Sequence, residues 1–504
     1  MDLLKSIVES LSGSQQKDFR KFIQSQKKLS NRKDLELFDL LAQAISNSNP
    51  GTILYNKSNQ NAYHAVRRRL TQKLGDFLVL KRLDEDITSS SSVMGMISMA
   101  RYFIEQSADE LAWHYINKAE SKAGETDQFD LLNTIYLFQI EHAYSPFASD
   151  LNEIIKRMTE NKKVLDEDER TTIACGLIRK ELQKIIIEGK DVDFESVIQI
   201  ALTTYNLANT IIERPKVLYS ILSITRSSIL AKKDFYSFEP YIIQHFEKAK
   251  NQYGFSRNDH FYKISILYMI AHVLYRNRKF ESAEEYLVEL NKGMQDHKGS
   301  HLKLFHSKYI LLLAAVKCYQ GHLNQAVLIL EESQANEAGL FTAYDKIKLL
   351  INLSIYYFQK EEHRKAFRTA NSIGHTDKWY EKNLGKEWVF KKNLMEILLQ
   401  IEAGNDDIAL SRIRWFEKTY GALFTQPLYS RAKIFLHLIK IMIKDPEKFK
   451  SQETKDQIEH NLTVIPEEQE DLQAMAFYAW LKSKVLKSNY YEVLLNTVKP
   501  EVIR

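Results

Sequence analysis

The sequence predicts an all-α protein: a right-handed α-solenoid of antiparallel helix pairs, preceded by a small basic helical domain. The 504 residues include only 16 Gly and 8 Pro, and apolar residues recur at spacings of three and four. No long stretch shows the apolar–polar alternation of a strand. So few glycines argue against β-sandwiches, barrels and α/β enzymes with Gly-rich loops. With 44% hydrophobic and 27% charged residues, the chain can bury a core.

The N-terminal helical domain is predicted to span residues 1–87. Apolar stripes at 3–11, 19–23 and 37–45 predict three helices, and a longer helix is predicted from about residue 58 to residue 86. The run Thr88 to Ser92 is predicted to be a polar linker. We therefore place the domain boundary there and assign residues 93–504 to the solenoid.

Positive charge is concentrated in the N-terminal segment. Residues 1–83 hold 15 Lys and Arg against 7 Asp and Glu, whereas the rest of the chain holds 55 against 58. Arg67, Arg68, Arg69 and Lys73 lie off the apolar stripe of the long helix, so they are predicted to face outward. Such a face suits an acidic protein or a nucleic acid. The alternative is a solvated basic surface without a partner.

Paired amphipathic segments repeat after residue 92. The clearest copies span residues 96–119, 267–290, 310–330, 350–373 and 393–416. A small residue recurs in the second helix, at Ala283, Ala326, Ala366 and Ala409. A small side chain lets two helices approach closely, and stacking covers apolar faces that no single pair can bury.

Residues 96–119 and 267–373 resemble the tetratricopeptide repeat family. They carry its large–small pair, its Gly turn, and its Ala followed by an aromatic or aliphatic residue. The resemblance implies stacked helix pairs and says little about chemistry. The period here is about 40 residues rather than 34, and Lys317 stands where the family prefers Tyr.

A second resemblance covers the N-terminal segments 16–23, 35–41 and 65–83. They are similar to the leader of an uncharacterised group of bacterial repeat proteins, which has no assigned activity. This resemblance implies a bacterial, cytoplasmic helical array.

The chain shows none of the common catalytic motifs. It has no P-loop, no strand–GxGxxG–helix unit, no HExxH, no GxSxG and no CxxC. His301 and His306 are five residues apart rather than four, so with His297 they predict a polar loop and not a metal site. We expect no enzymatic activity, no cofactor and no metal, with an unrecognised catalytic site as the alternative.

Features that bear on the compartment agree with a cytoplasmic protein. Cys175 and Cys318 lie within apolar helical patterns and are predicted to be buried free thiols. No apolar run approaches 20 residues, and the first residues lack a basic region before an apolar stretch, so we expect no membrane insertion. The acidic run from Asp166 to Glu169 is predicted to open a helix.

Exposed positions on the first helix of each pair are predicted to face a concave groove. They are Tyr268, His272, Tyr275, Arg276, Lys308, Tyr319, Lys348 and Phe358. Aromatic residues with scattered cations suit a peptide that carries apolar anchors and some acid. Alternatively, these residues pack against neighbouring helices or are covered by the chain's own C-terminus.

We therefore expect a non-enzymatic scaffold that binds a peptide or protein in the groove. The alternative is a nucleic-acid-associated regulator that uses the basic N-terminal domain. The sequence leaves the oligomeric state open.

Overall fold

The structure is a computed structural model, and its described residues form helices and turns without any strand. These residues are 3–11, 13–26, 32–42, 50–55, 60–85, 90–188, 194–232, 235–236, 238–299, 301–336, 338–374, 376–421, 424, 427–463 and 472–498. The all-α prediction is confirmed. The chain divides into two compact units, Met1–Asp166 and Glu167–Arg504.

The first unit contains α1 to α8 and the beginning of α9. The bounds are α1 Leu3–Ser10, α2 Gly13–Gln26, α3 Lys33–Ala42, α4 Pro50–Leu54, α5 Gln60–Glu85, α6 Ser90–Glu105, α7 Asp109–Glu125, α8 Phe129–Glu141 and α9 Leu151–Glu188. The long helix predicted from about residue 58 is present as α5.

Two separate apolar cores lie within this first unit. One joins α1 to α5 around Phe19, whose ring centroid is 4.7 Å from that of Phe38 and 5.2 Å from that of Phe77. The other joins α6 to α9 around the buried Trp113 and Ile116. The boundary predicted at residues 88–92 falls between these two cores, and its role as a domain boundary stays a prediction.

The linker prediction is wrong for Ser90 to Ser92, which form the first turn of α6. Val93 begins the buried stripe of α6, so the helix starts just before it. The Ser92 hydroxyl also accepts a hydrogen bond from Lys122 Nζ at 2.9 Å. The remaining linker residues, 88 and 89, lie outside the described residues.

The second unit continues with helices in close succession. Their bounds are α10 Phe194–Thr204, α11 Thr210–Glu213, α12 Pro215–Lys232, α13 Phe238–Gln252, α14 His260–Arg276, α15 Phe280–Gly299, α16 Leu302–Tyr319, α17 Leu323–Asn336, α18 Ala343–Gln359, α19 His363–Asn371, α20 Asp377–Leu384, α21 Lys386–Glu402, α22 Asp406–Tyr420, α23 Pro427–Lys444, α24 Pro446–Phe449, α25 Gln452–Ile458, α26 Leu472–Leu486 and α27 Tyr490–Val498. A 3₁₀ turn, Ala338–Leu340, precedes α18, and a π-helical turn, Glu459–Thr463, follows α25.

The same turn recurs in the five pairs α6–α7, α14–α15, α16–α17, α18–α19 and α21–α22. The fourth residue of each second helix is a fully buried alanine: Ala112, Ala283, Ala326, Ala366 and Ala409. Five residues before each alanine the backbone has a positive φ, at Ser107, Arg278, Gly321, Glu361 and Gly404. The next N–H then bonds the carbonyl five residues earlier, as in a Schellman turn. The alanines therefore occupy equivalent positions.

First helices of successive pairs lie side by side and run in the same direction. Ser307, early in α16, donates a 3.0 Å hydrogen bond to Asp345, early in α18, while Cys318 and Gln359 meet at the two C-terminal ends at 3.1 Å. Helices α14 and α16 match in the same way, through the ring pairs Phe261–Phe305 and Tyr275–Tyr319, each 5.9 Å apart. This row of helices positions the candidate site.

Helices α26 and α27 pack back onto this row. The Tyr319 hydroxyl donates to the Leu472 carbonyl at 3.2 Å, and the Tyr491 hydroxyl donates to the Cys318 carbonyl. Arg278 donates to the Val498 carbonyl at 3.3 Å. The possibility that the C-terminal part of the chain covers the groove, left open by the sequence, is thus realised for residues 472–498.

The structure also tests the predictions for the two cysteines and for the acidic run from Asp166 to Glu169. Both cysteines are buried and free, as predicted. The acidic run does not open a helix, because it lies in the middle of α9. Arg214 balances its charge instead, with nitrogens 3.0 Å from Glu167 and 2.7 Å from Asp168. Among the described residues, no helix has the length and apolar character required to cross a bilayer.

Candidate functional site

One cavity of about 360 Å³ lies on the row of first helices in the second unit. Its walls come from α14, α16, α18 and α21, and from the packed-back helices α26 and α27. Seven of the eight predicted groove residues line it: Tyr268, His272, Tyr275, Lys308, Tyr319, Lys348 and Phe358. The structure therefore brings these residues together around one space. Whether they bind a partner stays a prediction.

Arg276 is not among the residues that line this cavity, and its assignment to a groove stays a prediction. It is the last residue of α14, and its guanidinium carbon lies 4.9 Å from the ring centroid of Phe235. A cation held over an aromatic face gains electrostatic stabilisation there.

One end of the cavity is aromatic. Tyr275 and Tyr319 have ring centroids 5.9 Å apart, and Phe358 meets Tyr490 at 5.8 Å. Burial raises the pKa of Tyr319 and Tyr490, so their hydroxyls stay protonated and donate hydrogen bonds. Phe358 was predicted to be exposed, but it is only 1% exposed because Tyr490 and its neighbours cover it.

The other end carries positive charge. Lys308 Nζ lies 5.9 Å from the ring centroid of Tyr268, and the exposed Lys348 is 3.9 Å from the carboxylate of Asp345. That carboxylate is already bonded by the hydroxyls of Ser307, at 3.0 Å, and Thr342, at 2.7 Å. Burial and the nearby charge of Arg226 lower the pKa of Lys308.

Two buried polar atoms near this end lack a hydrogen-bond partner among the described residues. They are His272 Nδ1 and Arg226 Nε. The guanidinium carbon of Arg226 lies 5.4 Å from the Tyr268 ring centroid, so this ring is flanked by Arg226 and Lys308. Burial, together with Arg226 and Arg276, lowers the pKa of His272 well below 6.5, so its imidazole is neutral at pH 7.

Sequence reasoning missed the contributions of α21, α26 and α27. Trp388, Lys392 and Met395 line the cavity from α21, and Phe477 and Tyr490 complete it. The residues of α21 could have been found by extending the groove rule to the repeat at 393–416. The contribution of α26 and α27 carries no local signal, because it depends on a long-range packing contact.

The basic face of the first unit is only partly as predicted. Arg68 and Arg69 are exposed, and Arg67 stacks on Tyr63 with its guanidinium carbon 5.7 Å from the ring centroid. Lys73 was predicted to face outward, but its Nζ lies 2.6 Å from the carboxylate of Asp34. An acidic residue on α3 thus neutralises part of this surface.

Histidines cluster at the ends of α14 and α15 without forming a metal site. His260 Nε2 donates to the Gly293 carbonyl at 2.8 Å, and its ring lies 4.5 Å from that of His297 and 5.6 Å from that of His301. Within the described ranges, no three His, Cys, Asp or Glu side chains are arranged to hold a metal ion. The backbone of α15 leaves helical geometry at residues 296–298, next to this cluster.

Comparison with known proteins gives no match: neither a family model, nor a curated protein, nor a solved structure is similar to this chain. The function therefore has to be argued from the chain's own residues. Their arrangement supplies aromatic surface, cations and hydrogen-bond donors.

Proposed function

We propose that this chain is a non-enzymatic scaffold that binds a segment of a partner protein in the cavity of its second unit. In this proposal residues 93–504 form a right-handed, TPR-like solenoid of antiparallel helix pairs that acts in the bacterial cytoplasm, and residues 1–87 form a separate basic domain. The observation that carries the proposal is the convergence of seven predicted groove residues on one cavity.

The composition of the cavity supports a protein ligand. Tyrosines and lysines together contribute hydrogen-bond donors and apolar surface, a mixture common at protein interfaces. A volume of about 360 Å³ accommodates a few side chains rather than a whole helix. Because α26 and α27 already occupy part of the groove, the partner would insert only a short stretch.

Photo-crosslinking of the full chain tests this proposal. A benzophenone amino acid is placed at Lys348, which lines the cavity, or at Lys346, an exposed lysine of the same helix outside it. We expect specific protein adducts in lysate of the source cells from position 348 only. Ala315→Phe, which fills part of the cavity, should abolish them while circular dichroism shows an unchanged helix content. Equal adducts at both positions, or none, would contradict the proposal.

Nucleic-acid binding remains the second candidate, because Arg68 and Arg69 are exposed and make no ion pair within the described part of the chain. Binding to random duplex DNA should then weaken steeply with salt, and R68Q/R69Q should reduce the salt slope by about two. No binding at low salt would eliminate this candidate.

A further inference from the structure

The cavity carries a surplus of positive charge at one end. Lys308 forms no ion pair or hydrogen bond within the described part of the chain, and it shares the Tyr268 ring with Arg226. The one acidic residue lining the cavity is Asp345, which also bonds two hydroxyls. Lys308 and Lys348 are both exposed and bring two cations to this end, where Asp345 supplies one carboxylate, so this end is electrostatically suited to an anion.

Unsatisfied hydrogen-bonding groups next to the cationic end of the cavity also favour a polar ligand group there. Two solvent-shielded atoms beside Tyr268, Nδ1 of the cavity residue His272 and Nε of Arg226, have no hydrogen-bond partner among the residues that the structure describes. A buried polar atom in a folded protein normally has a hydrogen-bond partner, which at this place a bound water or a ligand group would supply. The surplus of lysine charge and the unsatisfied polar atoms beside Tyr268 are separate observations at the same end of the cavity.

The distance between the cationic and aromatic ends sets the shape of the ligand. From Lys308 to Tyr319 along α16 is 11 residues, and from Lys348 to Phe358 along α18 is 10 residues, so each helix spans about 15 Å. An extended peptide rises about 3.4 Å per residue, so two anchors four residues apart cover this distance.

We propose, on the basis of the proposed function, that the partner segment is acidic and aromatic. The carboxylate of an Asp or Glu side chain binds between Lys308 and Lys348. An aromatic side chain about four residues away packs against Tyr319 at the aromatic end of the cavity. The cavity thus selects an extended acidic–aromatic sequence in one orientation.

Three peptides with blocked ends and a fluorescent label test this inference against the full chain: acetyl-Glu-Ala-Ser-Ala-Phe-amide, its Gln analogue, and its analogue with Ala in place of Phe. Fluorescence anisotropy at low salt should show the Glu peptide binding at least about tenfold more tightly than either analogue, because the Gln analogue loses charge-assisted hydrogen bonds and the Ala analogue loses the buried apolar surface of Phe. Raising the salt concentration should reduce the difference in affinity between the Glu and Gln peptides, because salt screens the charge of the Glu carboxylate.

Matched lysine variants assign the effect to the cavity. In K308M/K348M the Glu and Gln peptides should bind with equal affinity. The control variant K303M/K346M removes two exposed lysines of the same helices that lie outside the cavity. In this control the affinity difference between the two peptides should persist. Equal binding by the wild-type chain, a difference that persists in K308M/K348M, or no binding by any peptide would overturn the inference. If cavity-specific adducts still form at position 348, only the acidic–aromatic selection fails and the proposed function stands.

Discussion

Two lysines of the first unit, Lys73 and Lys81, and one lysine of the cavity in the second unit, Lys308, have opposite environments. Lys73 lies 2.6 Å from Asp34, and Lys81 lies 2.8 Å from Asp18, so part of the N-terminal charge surplus is neutralised internally. In the cavity, Lys308 forms no ion pair with a described residue, although the chain beyond residue 83 is close to neutral. The net charge of a segment is therefore a poor guide to where uncompensated charge lies.

Removing the carboxylate of Asp34 is expected to have the largest effect on stability, because this carboxylate pairs with cations of the first unit. The side chain of Asp34 is 13% exposed and accepts hydrogen bonds from Arg32 and Lys73, so Asp34→Asn leaves two cations without their partner. We expect a loss of about 2–3 kcal/mol in the local stability of α3 and α5. Amide hydrogen exchange of these helices measures it. Asp39→Asn removes the more exposed partner of Arg20 and should cost less than about 0.5 kcal/mol.

Acidification should reduce the local stability of α3 and α5 slightly less than Asp34→Asn does. Burial alone would raise the pKa of Asp34, but hydrogen bonds from Arg32 and Lys73 outweigh it and lower the pKa to about 2. The lowered pKa stabilises the fold above the ordinary value of 3.8, and this contribution of about 2 kcal/mol disappears as the pH falls from about 4 to 2. Hydrogen exchange across this range should show the loss in the wild type, and an identical loss in Asp34→Asn would refute the assignment.

In the cavity, neutralising Lys308 is expected to stabilise the second unit slightly. Burial lowers the pKa of Lys308, so its charged form is disfavoured in the folded chain and Lys308→Met should raise the free energy of unfolding slightly. By the same linkage, wild-type stability should rise as the pH approaches 10.5. Urea unfolding compares this variant with Lys303→Met, the exposed control on α16. A larger loss of stability in Lys308→Met than in the control would show that its charge is compensated.

Periodicity predicted the parts of the fold that depend on local burial. The spacing of Ala283, Ala326 and Ala366 identified three equivalent positions, because a close helix crossing admits only a small side chain. The turn before them was harder to predict, since Arg278 and Glu361 adopt positive φ values where glycine is usual. At such positions the hydrogen bonds of the turn outweigh the strain of a residue with a Cβ atom.

The candidate site was predictable to the extent that the helical repeat determines it. Lys308 and Lys348 occupy corresponding places on successive first helices, so the repeat alone brings them to one surface. Arg276 follows the same pattern, and its guanidinium carbon lies 4.9 Å from the ring centroid of Phe235. The pairing of Lys73 with Asp34 joins residues 39 positions apart, a contact that helical spacing does not contain.

The docking of α26 and α27 has a consequence for the order of folding. Their hydrogen bonds to the row join residues 153, 173 and 220 positions apart, whereas each helix pair closes through a turn of a few residues. Contacts of such high sequence separation form late, because the loop they close loses more chain entropy. On the ribosome, the helix pairs can therefore assemble before the cavity exists, and a nascent chain acquires its complete walls only after residue 490 has been synthesised.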